Sequence, residues 1–149
     1  MTEVLFYHLT EKTLEQTLPG LLEKCIERNW KSVVQVGDAA KLPALDQLLW
    51  SFRPDSFIAH SAERDGNEKH QPVFLTDADD NPNESEIRFM VENAVPPSLE
   101  GYTRGIYIFD GHNEEALSQA RERWKAEKSA GHAVTYWQQK PNGGWEKKA

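Results

Sequence analysis

Apolar positions along the chain alternate between a period of two and a period of three to four, and each change of period predicts an element. Residues 3–9, EVLFYHL, predict a first strand, with Val4, Phe6 and Tyr7 in a short run ended by Thr-Glu-Lys. Residues 13–29 predict a helix, because Leu14, Leu18, Leu21, Leu22, Cys25 and Ile26 recur at spacings of three and four. Pro19-Gly20 interrupts that pattern, so the regular part is expected to begin at Pro19, a first-turn position that proline tolerates. Residues 32–37, SVVQVG, predict a second strand, apolar on both sides as in a buried parallel sheet. Asp38 then caps a helix over 39–51, with Leu42, Leu45, Leu48 and Leu49 on one face.

The middle of the chain is less regular. Residues 57–59, 73–75 and 87–91 predict short strands, and the polar stretches 61–71 and 77–86 predict loops. After the Pro96-Pro97 break, GIYIF (105–109) predicts a strand that Asp110-Gly111 ends. Residues 113–130 predict the last long helix, with Asn113 as cap and Gly131 just past its end. HAVTYWQQ (132–139) alternates as a strand, and PNGG turns the chain into a short strand-like end. Strand, helix, strand, helix at this spacing predicts a single α/β domain over residues 1–149, with a mostly parallel sheet flanked by helices.

Composition narrows the function. The chain has 149 residues, which fits one domain, and a net charge of -7, which disfavours wrapping of duplex DNA through phosphates. One cysteine, Cys25, rules out an internal disulfide and suits a cytoplasmic location; on the apolar face of the first helix it reads as an inert buried thiol. The N-terminus does not read as a signal peptide, and no apolar run approaches the roughly 20 residues of a membrane span.

Enzyme signatures are missing. There is no P-loop and no dinucleotide-binding glycine string; the turn after the second strand is Gly37-Asp38-Ala39-Ala40. None of the histidines (His8, His60, His70, His112, His132) lies three or four residues from another, so no zinc motif is read. Asp77, Asp79, Asp80 and Asn81 resemble a calcium loop superficially but lack its glycine and terminal glutamate, and read as a solvated turn. Asp110 has the best position for a catalytic acid in an α/β sheet, yet Asp-Gly there reads more simply as a turn. No metal, cofactor or catalytic residue is assigned.

One pattern reads as a binding surface. At about 100° per residue, Arg121, Trp124, Lys125 and Lys128 fall within one arc of the last helix, with Leu117 beneath Trp124 and with Glu122 and Glu127 outside the arc. Cations beside an indole suit an acidic peptide with an apolar end and a free carboxylate. The same groups could stack and pair with single-stranded nucleic acid, or form a solvated helix face over a core tryptophan.

The chain resembles a known family, the chi subunit of bacterial DNA polymerase III. The resemblance rests on LFYHL (5–9), CIERNWKSVVQV (25–36), LDQLLWSFRPDSFIAH (45–60) and SQARERWKAEKSAGHAVTYWQ (118–138), in order over nearly the whole chain. Ala59 stands where the family usually has proline. The resemblance implies a nucleotide-binding-like α/β fold without a nucleotide site. It also implies a non-catalytic accessory role, linking the holoenzyme to single-stranded DNA-binding protein through that protein's acidic C-terminal tail, which ends in phenylalanine. The positions that match the gripping residues are Arg121, Trp124 and Lys125, with Trp50 and Phe57 from the central segment; Lys128 extends the same stripe. Trp124 replaces the tyrosine of some relatives, and Leu117 a basic residue. The psi subunit and the clamp loader are further partners the resemblance admits, with direct nucleic-acid contact at most weak and no membrane partner.

Overall fold

The computed structural model describes residues 2–51, 60–61, 72–78, 80–81, 83–96 and 98–149. Among these, eight strands form one sheet: β1 (Glu3–Leu9), β2 (Ser32–Val36), β3 (His60–Ser61), β4 (Val73–Thr76), β5 (Ile87–Val91), β6 (Arg104–Asp110), β7 (Ala133–Gln139) and β8 (Trp145–Lys147). Their order is β3-β4-β2-β5-β6-β1-β7-β8, and every neighbouring pair is parallel except the antiparallel β7–β8 hairpin. The helices are α1 (Leu14–Glu27), α2 (Leu42–Ser51), entered through a 3-10 turn at Ala39–Lys41, and α3 (Glu114–Ser129). This is the mostly parallel α/β sheet that the alternation of periods predicts.

Strand alternation divides the core in two. On one face, Leu18, Leu22 and Cys25 of α1 and Leu45 and Leu49 of α2 pack on Leu5, Val34, Phe89 and Ile106. On the other, Ala116 and Ala120 of α3 pack on Val4, Phe6, Tyr107 and Phe109. The central strands β2, β4 and β5 are buried at every position, which explains their near-continuous apolar sequence. Cys25 is buried as expected, and burial pushes its thiol pKa up.

One local expectation needs revision. Helix α1 begins at Leu14, upstream of Pro19, which therefore lies inside it. Thr13 and Gln16 form a reciprocal capping box that satisfies first-turn amides, and burial of Leu18 fixes the turn before the proline. The carbonyl that Pro19 leaves without an amide belongs to Glu15, an exposed residue with access to water. The strand expected at 57–59 and most of the loop expected at 61–71 lie outside the described residues; strand pairing is described from His60, opposite Val73.

The acidic stretch after β4 is built as turns tied to the sheet. Asn81 Oδ1 accepts from the Ser85 amide at 2.8 Å, and Asp80 Oδ1 accepts from Thr76 Oγ1 at 2.9 Å. Arg88 of β5, fully buried, donates to Gln35 Oε1 at 2.6 and 3.1 Å, to the Asp80 carbonyl at 2.8 Å and to the Ala78 carbonyl at 3.1 Å.

Helix α1 follows β1 onto one face, whereas α3 follows the adjacent β6 onto the other. Such a switch point opens a crevice at the carboxyl ends of the strands. Here it has a volume of about 400 Å³ and is lined by Thr10, Lys12, Asp110 and His112 among others. The amides that a nucleotide-binding fold turns toward a phosphate are committed elsewhere. Buried Gln139, at the end of β7, accepts through Oε1 from the amides of Thr10, Glu11 and Lys12 at 3.3, 2.9 and 2.8 Å. Asp110 Oδ1 accepts from the His112 amide at 2.9 Å, the turn that Asp-Gly predicts.

Candidate functional site

The site is built on α3 because that helix meets the sheet through small residues. Asn113 caps it, its side-chain oxygen accepting from the Ala116 amide at 3.0 Å, and Glu114 and Glu115 complement the positive end of the helix dipole. Ala116 and Ala120 bring the helix close to Phe6 and Phe109. The half-buried Leu117 and Trp124 flank this contact.

Between α3 and the β1–β7 part of the sheet lies an open hollow of about 480 Å³. Its walls are Leu117, Ala120 and Trp124 from the helix and His8 and Tyr136 from the strands; Arg121 and Lys125 stand at it as well. The aromatic groups are interlocked. Trp124 meets Phe6 edge-on at 5.5 Å and Tyr136 at 5.9 Å, and Tyr136 meets Phe109 at 6.0 Å. Tyr136 Oη and His8 Nδ1 are 2.6 Å apart. Burial, then the neighbouring His112, lowers the His8 pKa, with Asp110 opposing. The ring is therefore neutral at pH 7, which allows Nδ1 to accept the Tyr136 proton. Burial raises the Tyr136 pKa, and Arg121 partly offsets it. With its hydroxyl engaged by His8, Tyr136 offers the hollow its ring more than its hydroxyl.

The predicted stripe is present as a surface. Arg121, Lys125 and Lys128 are exposed, and none has an ion pair among the described residues. The Lys128 ammonium lies 5.3 Å from the Trp124 ring centroid, a cation–π distance. Arg123, one step off the stripe, behaves differently: it reaches Glu127 at 3.6 Å and the Tyr107 hydroxyl at 3.3 Å. Glu127 is not the exposed charge that a solvated helix face would carry. It is buried, burial raises its pKa, and Arg123 and His132 act against that rise.

Four of the six predicted residues lie on one helix. Arg121, Trp124, Lys125 and Lys128 share α3. Trp50 is the penultimate residue of α2, a helix that packs through Leu45 and Leu49 on the opposite face of the sheet. Phe57 lies outside the described residues. Among the described residues, the apolar surface beside Trp124 comes from His8, Tyr136 and Leu117. His8 and Tyr136 were not singled out from the sequence, although alternation in LFYHL and HAVTYWQQ places them on the faces of Phe6 and Val134.

Comparison with known proteins agrees with this architecture. The family model described as DNA polymerase III chi subunit, HolC, matches residues 1–135. A relative from Rickettsia prowazekii (strain Madrid E), named probable DNA polymerase III subunit chi, is 29% identical over 91 residues, 61% of this chain. The matched stretch spans about half of that relative's length, 55%. With a family model matched over nearly all its length, the chain belongs to the DNA polymerase III chi subunit family, a family of accessory replication subunits.

Proposed function

We propose that this chain links DNA polymerase III to single-stranded DNA-binding protein by holding that protein's acidic C-terminal tail in the α3 hollow. The observation that carries the proposal is the pairing of two exposed cations with no ion pair among the described residues, Arg121 and Lys125, with a hollow walled by Trp124, Tyr136 and Leu117. A tail ending in phenylalanine presents an aromatic ring and a carboxylate on one residue. The ring enters the hollow against Trp124 and Tyr136, where edge-to-face contacts are favourable. The terminal carboxylate meets the Arg121 guanidinium, whose fork can donate two parallel hydrogen bonds. Lys125 and Lys128 face the preceding acidic residues, and these exposed pairs weaken with salt. The psi subunit and the clamp loader complete the assembly side of the link.

Calorimetric titration of the chain with an acidic peptide ending in phenylalanine tests this reading. Removal of the terminal phenylalanine should abolish measurable heat, and Arg121→Ala should weaken binding roughly tenfold or more, the range of a charged hydrogen bond. Equal affinity for the full and shortened peptides would refute the pocket.

A further inference from the structure

A second aromatic surface lies on the other face of the sheet, away from α3. Tyr7 of β1 and Trp137 of β7 are register partners, and Trp137 is in turn opposite Lys147 of β8, so the three side chains stand in one row on one face. Trp145, opposite Gln139 on the same face, meets the Tyr7 ring at 4.8 Å. On this face α1 packs over β6 and α2 over β4, while α3 covers β7 from behind. The β7–β8 end of the face therefore consists of side chains, and Tyr7, Trp137 and Trp145 are each only half-buried.

Toward the amino ends of the strands the row continues as cations on an indole. The guanidinium carbons of Arg104 and Arg28 each lie 5.1 Å from the ring centroid of half-buried Trp30. Arg104 is the register partner of Glu3, four residues before Tyr7 in β1, so it stands on the same face of the sheet as Tyr7. The charge here is positive in a chain whose net charge is -7. Lys147 and Arg28 are exposed and have no ion pair among the described residues. Glu3 is held by Arg104 at 3.4 Å, and Glu146 and Lys148 pair with each other at 3.5 Å.

We propose that this flank, running from Lys147, Trp137 and Trp145 through Tyr7 to Arg104 and Trp30, is a platform for single-stranded nucleic acid. The repeat of the surface selects that ligand. Rings and cations recur along and across strands, which matches a polymer carrying one ring and one anion per unit. An acidic tail with a single terminal aromatic needs one pocket and has no use for a row. The flank shares no residue with the α3 hollow, so it does not depend on the tail reading. Its Trp137, Trp145 and Lys147 also lie beyond the residues that the family model matches.

The test is fluorescence anisotropy of a labelled oligothymidine of about a dozen residues, long enough for one single-strand site, titrated with the full chain at low and high salt. Salt-sensitive binding is expected, weakened about tenfold by Trp145→Ala and measurably by Lys147→Glu. Lys147→Glu changes an exposed residue and keeps the test sound should the tryptophan variant unfold. The double variant Arg121→Glu/Lys125→Glu should lose the tail peptide yet keep the oligonucleotide. The proposal would be overturned by no binding at low salt, by binding lost in the α3 variant but retained in Lys147→Glu, or by equal affinity for blunt duplex. Competition by the acidic tail peptide would assign the flank to a peptide and would likewise overturn it.

Discussion

Replacing Gln139 by alanine removes one oxygen and strands three amides. Oε1 accepts from Glu11 and Lys12 at 2.9 and 2.8 Å and from Thr10 at a weaker 3.3 Å. A hydrogen bond contributes about 1 kcal/mol net, and more is lost when a donor is left dry. Glu11 and Lys12 are exposed residues, so water reaches part of the vacated site and limits the penalty. The two short bonds, part of the long one and the lost packing of a buried side chain together predict about 2–3 kcal/mol of destabilisation. At this chain length that corresponds to a fall in Tm of roughly 4–12 °C. Urea unfolding followed by far-ultraviolet circular dichroism measures it, with an unchanged m-value showing that the denatured state is not the cause. The conservative partner is Gln139→Glu, whose carboxylate would accept the same donors with charge assistance and hold a depressed pKa. Its stabilising effect is present above the ordinary glutamate range and lost as pH falls through the folded value. A Gln139→Ala variant within 0.5 kcal/mol of the parent, a margin typical of neutral surface changes at about that size, would refute the role given to this contact.

Three further outcomes follow from other parts of the fold. A Cβ at Gly111 would lie 2.1 Å from His8 Nε2 and 2.6 Å from the Leu9 carbonyl, so Gly111→Ala should cost about 1–3 kcal/mol and displace His8 from Tyr136, read by thermal melting and by a changed His8 imidazole chemical shift. Arg88→Leu strands the acceptors on Gln35, Ala78 and Asp80 and should destabilise by about 3 kcal/mol or more, with increased proteolysis in the 77–86 segment as the local readout. Burial raises the Glu127 pKa, so the folded state holds that proton more tightly than the unfolded chain and its ionisation costs stability as pH rises out of the ordinary carboxylate range. Glu127→Gln should therefore gain on the parent between acid and neutral pH and match it below that range; paired melting curves across pH 3–7, spanning roughly the carboxylate titration, check the sign.

The sheet was legible because its strands are short, with β2, β4 and β5 buried on both faces, and because the helices carry a three-to-four repeat. SVVQV and GIYIF carry enough apolar side chains to be strands and too few residues to be helices. The start of α1 was less legible because Pro19-Gly20 dominates local propensity, although Thr13 and Gln16 carried the capping-box signal. The α3 stripe could be read from angular position alone, since helical geometry fixes which side chains share a face. Its opposing wall could not. Tyr136 and His8 lie 128 residues apart in sequence and meet because β1 and β7 are paired in parallel, a register that no local pattern specifies. For the same reason Trp50 could not be separated from Trp124: the side on which a crossover helix packs depends on topology, and α2 and α3 take opposite sides.

That division has a consequence for how two ligands could be accommodated together. On the α3 side, close helix–sheet packing through alanines leaves a hollow bounded by a few aromatic groups, a shape suited to a single terminal side chain. On the opposite side, the β7–β8 hairpin widens the sheet past the helices and leaves rings in a row. The hairpin contributes to both, because alternation sends Tyr136 one way and Trp137 the other. A one-residue slip in the β1–β7 register would exchange those two faces and remove both surfaces at once. The Gln139 contact pins the end of β7 to the β1–α1 loop, and Thr10 Oγ1 adds a bond to the Gln139 carbonyl at 2.8 Å. The same residue that withholds the loop amides from a phosphate thus fixes the register on which both candidate binding surfaces depend.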